Sequence, residues 1–369
     1  MTITRTEIFK LTIPMEPFVI ATETCYYTQN VFIRVHTDSG LVGMGECSAF
    51  PLLVGETQNT CYEVAQDFAK LLKGKDPLDI PARMKDLNTY IAHNTTIKSA
   101  FDIAFHDLKA KAAGVPLYKI LGGRIKTIQT DLTIGIDTPE SMEETAKEFI
   151  ANGVKIIKVK LGKNGEEDVD RIRRIRGAVG PHIGLRVDAN QGWGYDEAIK
   201  TLNQIAPYDI QFCEQPIPKD MDELLPALRQ ASKVKIMADE SVFDWRDAER
   251  LIKADAVDYI NIKLAKSAGI LGGLAIAVVA LGFYFYGLQS ASQTATPVVA
   301  PPTPPRTAQQ PPATVTTPQA GVSRAQQQLK IYGDDAVLRQ IARTPLPARN
   351  SALVDRVRVL LDRDDDRDD

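Results

Sequence analysis

A repeat of character between residues 127 and 266 limits what this chain can fold into. Short apolar runs at 127–135, 156–162, 183–189, 209–215, 234–240 and 258–266 alternate with stretches of helical period: Ser141–Ala151, Glu166–Ala178, Tyr195–Ile205, Met221–Ala231 and Trp245–Ala254. Near-continuous apolar strands separated by amphipathic helices indicate a parallel sheet covered on both faces. Six such units in succession favour a (β/α) barrel over an open doubly wound sheet, and the glycine-rich phosphate turn that often opens the latter is absent. In such barrels the chemistry sits where the strands end.

Those ends carry charge. Ile183-Gly184-Leu185-Arg186-Val187 runs straight into Asp188, and Glu214 and Asp239 close the next two strands, each about one βα period further on. Three carboxylates on neighbouring strands are expected to converge, and they repel one another unless a cation lies between them. All-oxygen ligation completed by water or substrate suits Mg²⁺. Lys158 and Lys160 are two apart and share one face of their strand. Lys263 is expected to end the sixth strand, across the mouth from Lys160. This set suits removal of a proton from a carbon beside a carboxylate through a metal-stabilised enediolate. Lysines on opposite faces of that carbon take the proton on one side and return it on the other, inverting configuration. Isolated strand-end charges are commonly ion pairs or solvated loop residues, so the argument rests on the set being in phase with the βα period. Cys213, beside Glu214, points to the opposite strand face and reads as core.

Composition excludes several alternatives. At 369 residues the chain has room for two or three domains, and its net charge of −3 gives no footprint for nucleic acid. The four cysteines are far apart without a CxxC pair, so reduced thiols are expected. The four histidines, His36, His93, His106 and His182, form no ligand spacing. The amino terminus does not read as a signal peptide. Before the repeat, 3–12 and 30–37 alternate as strands, Asp38-Ser39-Gly40 makes a turn, and LVGMGEC continues as a third strand. The stretch 21–27 between the first two strands is long enough for a mobile loop, with a plain connection as the alternative. From Thr57 to about Lys111 the apolar period is helical.

Lys158-Val159-Lys160, VDANQGW, CEQP, MADES and NIKLAKSAG together resemble the enolase superfamily, muconate-lactonising subgroup. Within it the resemblance is to dipeptide epimerases acting on L-Ala-D/L-Glu and related dipeptides, and it runs to about Gly269. It implies an α+β capping domain over residues 1–120 and a (β/α) barrel over 121–266. It further implies Mg²⁺ held by Asp188, Glu214 and Asp239, with Lys160 and Lys263 as the acid/base pair and Lys158 as an auxiliary lysine. Loops at Thr22–Tyr27 and Phe50–Glu56 would close over the dipeptide, with Thr22, Thr24 and Tyr26 at the substrate.

Beyond Gly269 the expected pattern stops. Two further strands and an Asp-x-Asp segment for the dipeptide ammonium are not found, so the barrel is expected to be truncated and of doubtful activity. Ile270–Leu288 is apolar all round, and residues 267–289 are expected to form one transmembrane helix, with the amino-terminal part cytoplasmic. A buried core helix is the alternative. Residues 290–322 read as a Pro-rich disordered linker, and 323–369 as short helices with an acidic tail. Two functions follow: a Mg²⁺-dependent dipeptide epimerase, or a single-pass membrane-anchored chimera, joined near 267–270, that carries an inactive epimerase fragment. Oligomeric state is not readable.

Overall fold

The computed structural model describes residues 1–293, with the backbone alone from residue 284 onward. The amino-terminal unit opens with an antiparallel sheet of β1 (Ile3–Val19), β2 (Thr24–Thr37) and β3 (Val42–Ala49), in that order. Val31, Ile33 and Val35 alternate inward along β2 and are fully buried, as a strand with one covered face requires. Five helices follow: α1 (Pro51–Val54), α2 (Gln58–Leu72), α3 (Ile80–Tyr90), α4 (Thr95–Ala112) and α5 (Leu117–Ile120). Phe68 of α2 and Phe101 and Phe105 of α4 fill the core beneath the sheet. Glu56 satisfies the free end of α4, accepting from the N–H groups of Thr96 (2.8 Å) and Ile97 (3.3 Å).

The stretch expected as a mobile loop is mostly strand. Thr24 pairs with Val19, Cys25 with Phe18 and Tyr27 with Pro14. Only residues 20–23 turn, closed by a bond from the Ile20 N–H to the Glu23 carbonyl (2.9 Å). Thr24, Tyr26 and Tyr27 are residue types that fit a pleated surface, and β1 supplies the partner that the alternation over 3–12 did not reveal.

The second unit is a six-stranded parallel sheet in sequence order: β4 (Leu132–Ile134), β5 (Ile156–Lys160), β6 (Gly184–Asp188), β7 (Ile210–Glu214), β8 (Ile236–Ala238) and β9 (Tyr259–Ile260). Among the described residues β4 and β9 are its edges. The connections carry α6 (Pro139–Ala151), α7 (Gly165–Val179), α8 (Tyr195–Ile205), α9 (Leu225–Ala231) and α10 (Trp245–Lys253). Ile157, Val159, Leu185, Val187, Cys213 and Ile236 belong to a buried core shared with residues of these helices. The sheet's ends are shorter than expected. β4 keeps three residues and β9 two, so Lys263 stands in a turn beyond its strand.

The expectation for residues 267–289 is corrected. α11 (Ile270–Gln293) begins there, but no helix among the described residues is long and apolar enough to cross a membrane. Its apolarity has another cause. Ile276 and Val279 lie in the core of the parallel sheet, while Leu271 and Ala268 pack against that of the amino-terminal unit. A helix wedged between two cores buries more than one face and needs no polar stripe. The membrane partner at 270–288 and the cytoplasmic placement of the amino-terminal part fall with the span. The linker and acidic tail expected over 290–322 and 323–369 lie almost wholly outside the described residues.

Candidate active site

The ladder between β5, β6 and β7 builds the site. Lys160 stands opposite Asp188, and Asp188 opposite Glu214, so three charged residues end adjacent strands in one row. Asp239 follows β8 by one residue. Asp188 and Asp239 are fully buried, and Glu214 and Lys160 nearly so. The exits are sharply turned, with positive φ at Asn190 (42°), Gln191 (68°) and Gln215 (36°). Such backbone persists where surrounding contacts enforce it. Gln215 supplies some of them: its Oε1 accepts from the Asp239 N–H (2.9 Å) and its Nε2 donates to Ser241 Oγ (2.8 Å).

Each carboxylate is turned to an ammonium group. Lys158 Nζ reaches Asp188 Oδ2 (2.7 Å) and Glu214 Oε2 (2.6 Å). Lys160 Nζ donates to Asp188 Oδ2 (2.8 Å) and Asn190 Oδ1 (2.7 Å). Lys263 pairs with Asp239 and stands 3.8 Å from Glu214 Oε1. Lys266 donates to Asp239 Oδ1 (2.5 Å) and to the Asp239 carbonyl. Asn261 Nδ2 donates to Glu214 Oε1 (2.9 Å).

Burial and these partners set the protonation states. Burial works against ionised Asp188, but the adjacent Lys160 and Lys158 outweigh it and lower its pKa. Burial likewise opposes ionised Asp239, yet Lys266 and Lys263 bring it down to about 2. Glu214 is pushed up by burial and then by the Asp188 charge. Glu240, beside Asp239, is pushed up to about 7 by burial, Asp239 and Asp188. Against the cost of burial, Asp239 and Glu214 hold Lys263 above its usual value, whereas Lys266 falls because burial prevails.

Among the described residues no three acidic, histidine or cysteine side chains are grouped to hold a metal ion as they stand. Each of these carboxylates instead faces a lysine ammonium. The donor set nevertheless fits Mg²⁺: three buried carboxylates are hard oxygen ligands, and their lysine partners sit on flexible stems.

The structure therefore brings together Lys158, Lys160, Asp188, Glu214, Asp239 and Lys263. Of the three residues expected at the substrate, Thr22 and Tyr26 are exposed on the β1–β2 hairpin and Thr24 is half-buried. The hairpin is pinned beside the sheet by a bond from the Ile136 N–H to the Val19 carbonyl (2.8 Å). Residues missed in the sequence are Asn190, Asn261, Glu240 and Lys266. In the sequence Lys266 is only a charge shortly before the apolar run 270–288, yet it is fully buried on Asp239. Its spacing of three from Lys263 was the available signal, since a turn can bring both to one carboxylate.

Residues 3–122 match the mandelate racemase / muconate lactonizing enzyme N-terminal domain, and residues 141–295 match the enolase C-terminal domain-like family. The second match passes through α11, so the resemblance does not end at Gly269, and the join expected near 267–270 falls inside the matched region. The D-Ala-D/L-Ala epimerase of Cytophaga hutchinsonii is 48% identical over 278 residues, covering 75% of this chain and 76% of that protein. The L-Ala-D/L-Glu epimerase of Clostridium acetobutylicum is 37% identical, covering 73% and 76%. The solved structure of the Cytophaga hutchinsonii dipeptide epimerase, complexed with Mg and D-Ala-L-Val, superposes with a TM-score of 0.76 at 46% identity, covering 77% of this chain and 78% of that one. With the strand-end carboxylates and the lysines around them, these matches place the chain in the mandelate racemase / muconate lactonizing enzyme family of the enolase superfamily.

Proposed function

We propose that the chain is a Mg²⁺-dependent dipeptide epimerase that inverts the α-carbon beside the dipeptide carboxylate. The observation that carries this is the arrangement of Lys158 and Lys160 at one rim of a row of buried carboxylates and Lys263 and Lys266 at the other. Asp188, Glu214 and Asp239 would hold the metal, which would bind the substrate carboxylate and stabilise charge developing as the α-proton leaves. Lys160 and Lys263 would each remove the proton from one epimer and return it to the other. Asn190 fixes the Lys160 ammonium at 2.7 Å, so that base is oriented before substrate arrives. Lys158, bridging Asp188 and Glu214, keeps a positive charge beside Lys160.

Dipeptides of the L-Ala-D/L-Glu type are the proposed substrates. The activities for which the two relatives are named, both on alanine-containing dipeptides, support that reading. The test is exchange of the dipeptide α-proton in D₂O, followed by NMR, across Ala-Ala and Ala-Glu epimers with Mg²⁺. Exchange that stops on chelation, and that is lost from one epimer in Lys160→Ala and from the other in Lys263→Ala, is expected. A folded chain that binds Mg²⁺ and exchanges no α-proton would overturn the proposal and favour an inactive scaffold, for which the open edges of the described sheet give a reason.

A further inference from the structure

Two buried aspartates outside the carboxylate–lysine cluster each hold the turn that follows one of the two lysines. Asp168, in the first turn of α7, accepts with Oδ2 from the Gly162 N–H (2.9 Å) and from the Trp193 indole (3.0 Å). Arg171 donates to its other oxygen (2.8 Å). Gly162 follows Lys160 by two positions, and Trp193 lies in the turn after Asp188. The two turns are closed on each other: a Cβ at Gly162, where φ is +106°, would come 2.3 Å from the Ala189 carbonyl oxygen.

Asp102 does the same for the other lysine from a different unit. It lies on α4 and is fully buried. Its Oδ2 accepts from the N–H groups of Ile270 (2.5 Å) and Leu271 (3.3 Å), the first residues of α11. A carboxylate at a helix amino terminus satisfies free donors and complements the helix dipole. Gly269 permits the approach, with φ +104° and space that a Cβ would fill 2.4 Å from that oxygen. The turn between β9 and α11 folds on itself, the N–H groups of Lys266 (3.0 Å) and Ser267 (3.1 Å) donating to the Lys263 carbonyl. Asp102 thus anchors the far end of the turn that carries Lys263, and His106 Nδ1 lies 3.3 Å from the same carboxylate. Among the described residues the two aspartates have no hydrogen-bond partner in common.

We infer that Asp168 and Asp102 are positioning residues that act separately on the two half-reactions, Asp168 on proton transfer at Lys160 and Asp102 on proton transfer at Lys263. The inference rests on the epimerase reading above. Proton transfer is sensitive to displacements well under an ångström, so loosening one turn slows its own lysine and spares the other.

The experiment uses the full chain with Mg²⁺ in D₂O and follows α-proton exchange from each epimer separately. Lys160→Ala and Lys263→Ala first establish which epimer each lysine serves. Asp168→Ala is then expected to reproduce the Lys160→Ala pattern in milder form, slowing one epimer by about tenfold to a hundredfold and the other by less than about twofold. Asp102→Ala is expected to give the opposite pattern, and the asparagine variants, which keep an acceptor oxygen, to recover part of the loss. Equal slowing of both epimers by either aspartate variant would overturn the inference. Should an aspartate variant fail to fold, Trp193→Phe and Gly269→Ala perturb the same contacts from the partner side, and the same patterns are required of them.

A second readout needs no substrate. Hydrogen exchange at the Gly162 amide and Trp193 indole should accelerate only in Asp168 variants, and that at the Ile270 and Leu271 amides only in Asp102 variants. If the unmodified chain exchanges no dipeptide α-proton, the epimerase reading fails by itself. Acceleration at both places by one variant would remove the separation of the two anchors.

Discussion

The two lysine-bearing rims of the sheet are built on opposite plans. At the β5–β6 rim, Lys158 and Lys160 stand on a regular strand whose ladder sets Lys160 opposite Asp188. At the β8–β9 rim the last strand contributes two residues, and Lys263 and Lys266 stand in a turn located by Asp102 and by α11. Register along a ladder repeats every two residues and is a local property. The place of a turn depends on residues far away in the chain. One rim therefore holds its lysines through the backbone, and the other through packing between the two units.

The most severe test of that contrast removes the lysines one at a time. Lys160→Ala and Lys263→Ala should each lower epimerisation by about 10³-fold, the range of a lost general acid–base group. Steady-state turnover that survives Lys263→Ala would mean that the packed rim has no part in the chemistry. The next test loosens the packing itself. Ile276 is fully buried between α11 and the sheet core, so Ile276→Ala should cost about 3 kcal/mol in denaturant unfolding. A negligible cost would detach α11 from the core and leave the Lys263 turn without support.

The carboxylates between the rims give two smaller effects. A hundredfold excess of Mg²⁺ over its Kd should stabilise the folded chain by about 2.7 kcal/mol, and Asp188→Ala should abolish the increment in thermal unfolding. Glu240 and Asp239 should respond to pH in opposite directions in metal-free protein. Glu240 rises from 4.5 to about 7, so the folded state binds its proton more tightly. Stability is then greatest below pH 4.5 and declines as pH rises toward 7, and Glu240→Gln should recover about 3 kcal/mol at pH 8. Asp239 falls from 3.8 to about 2, so its contribution is present above pH 3.8 and disappears as pH drops through 2. Denaturation midpoints against pH for Glu240→Gln and Asp239→Asn check both signs.

The same contrast explains what could be read in the sequence. The strands that carry Lys160, Asp188 and Glu214 were legible because apolar runs end in charge at a regular period. The chemistry proposed for the site starts from three carboxylates that need a cation. Residues 270–288 misled for a physical reason: a helix pressed between two protein cores and one immersed in lipid are both apolar all round, and periodicity does not separate them. Asp102 was equally hidden. In the sequence it is one polar residue within a helix, and only the fold shows that its carboxylate meets Ile270 and Leu271.

The closed turns beyond β5 and β6 also limit how this scaffold can change. A Cβ at Gly192 would come 2.1 Å from the Gly162 carbonyl oxygen, just as one at Gly162 would strike Ala189. Neither position can acquire a side chain without separating the turns, so these two positions offer no material for altering the site. Divergence of the site, whether by natural drift or in a mutagenesis library, has to be recorded elsewhere. On the hairpin tip beside these turns Ile20 is buried and Thr22 is exposed, so substitutions at Thr22 would vary the neighbouring surface without disturbing the turn contacts.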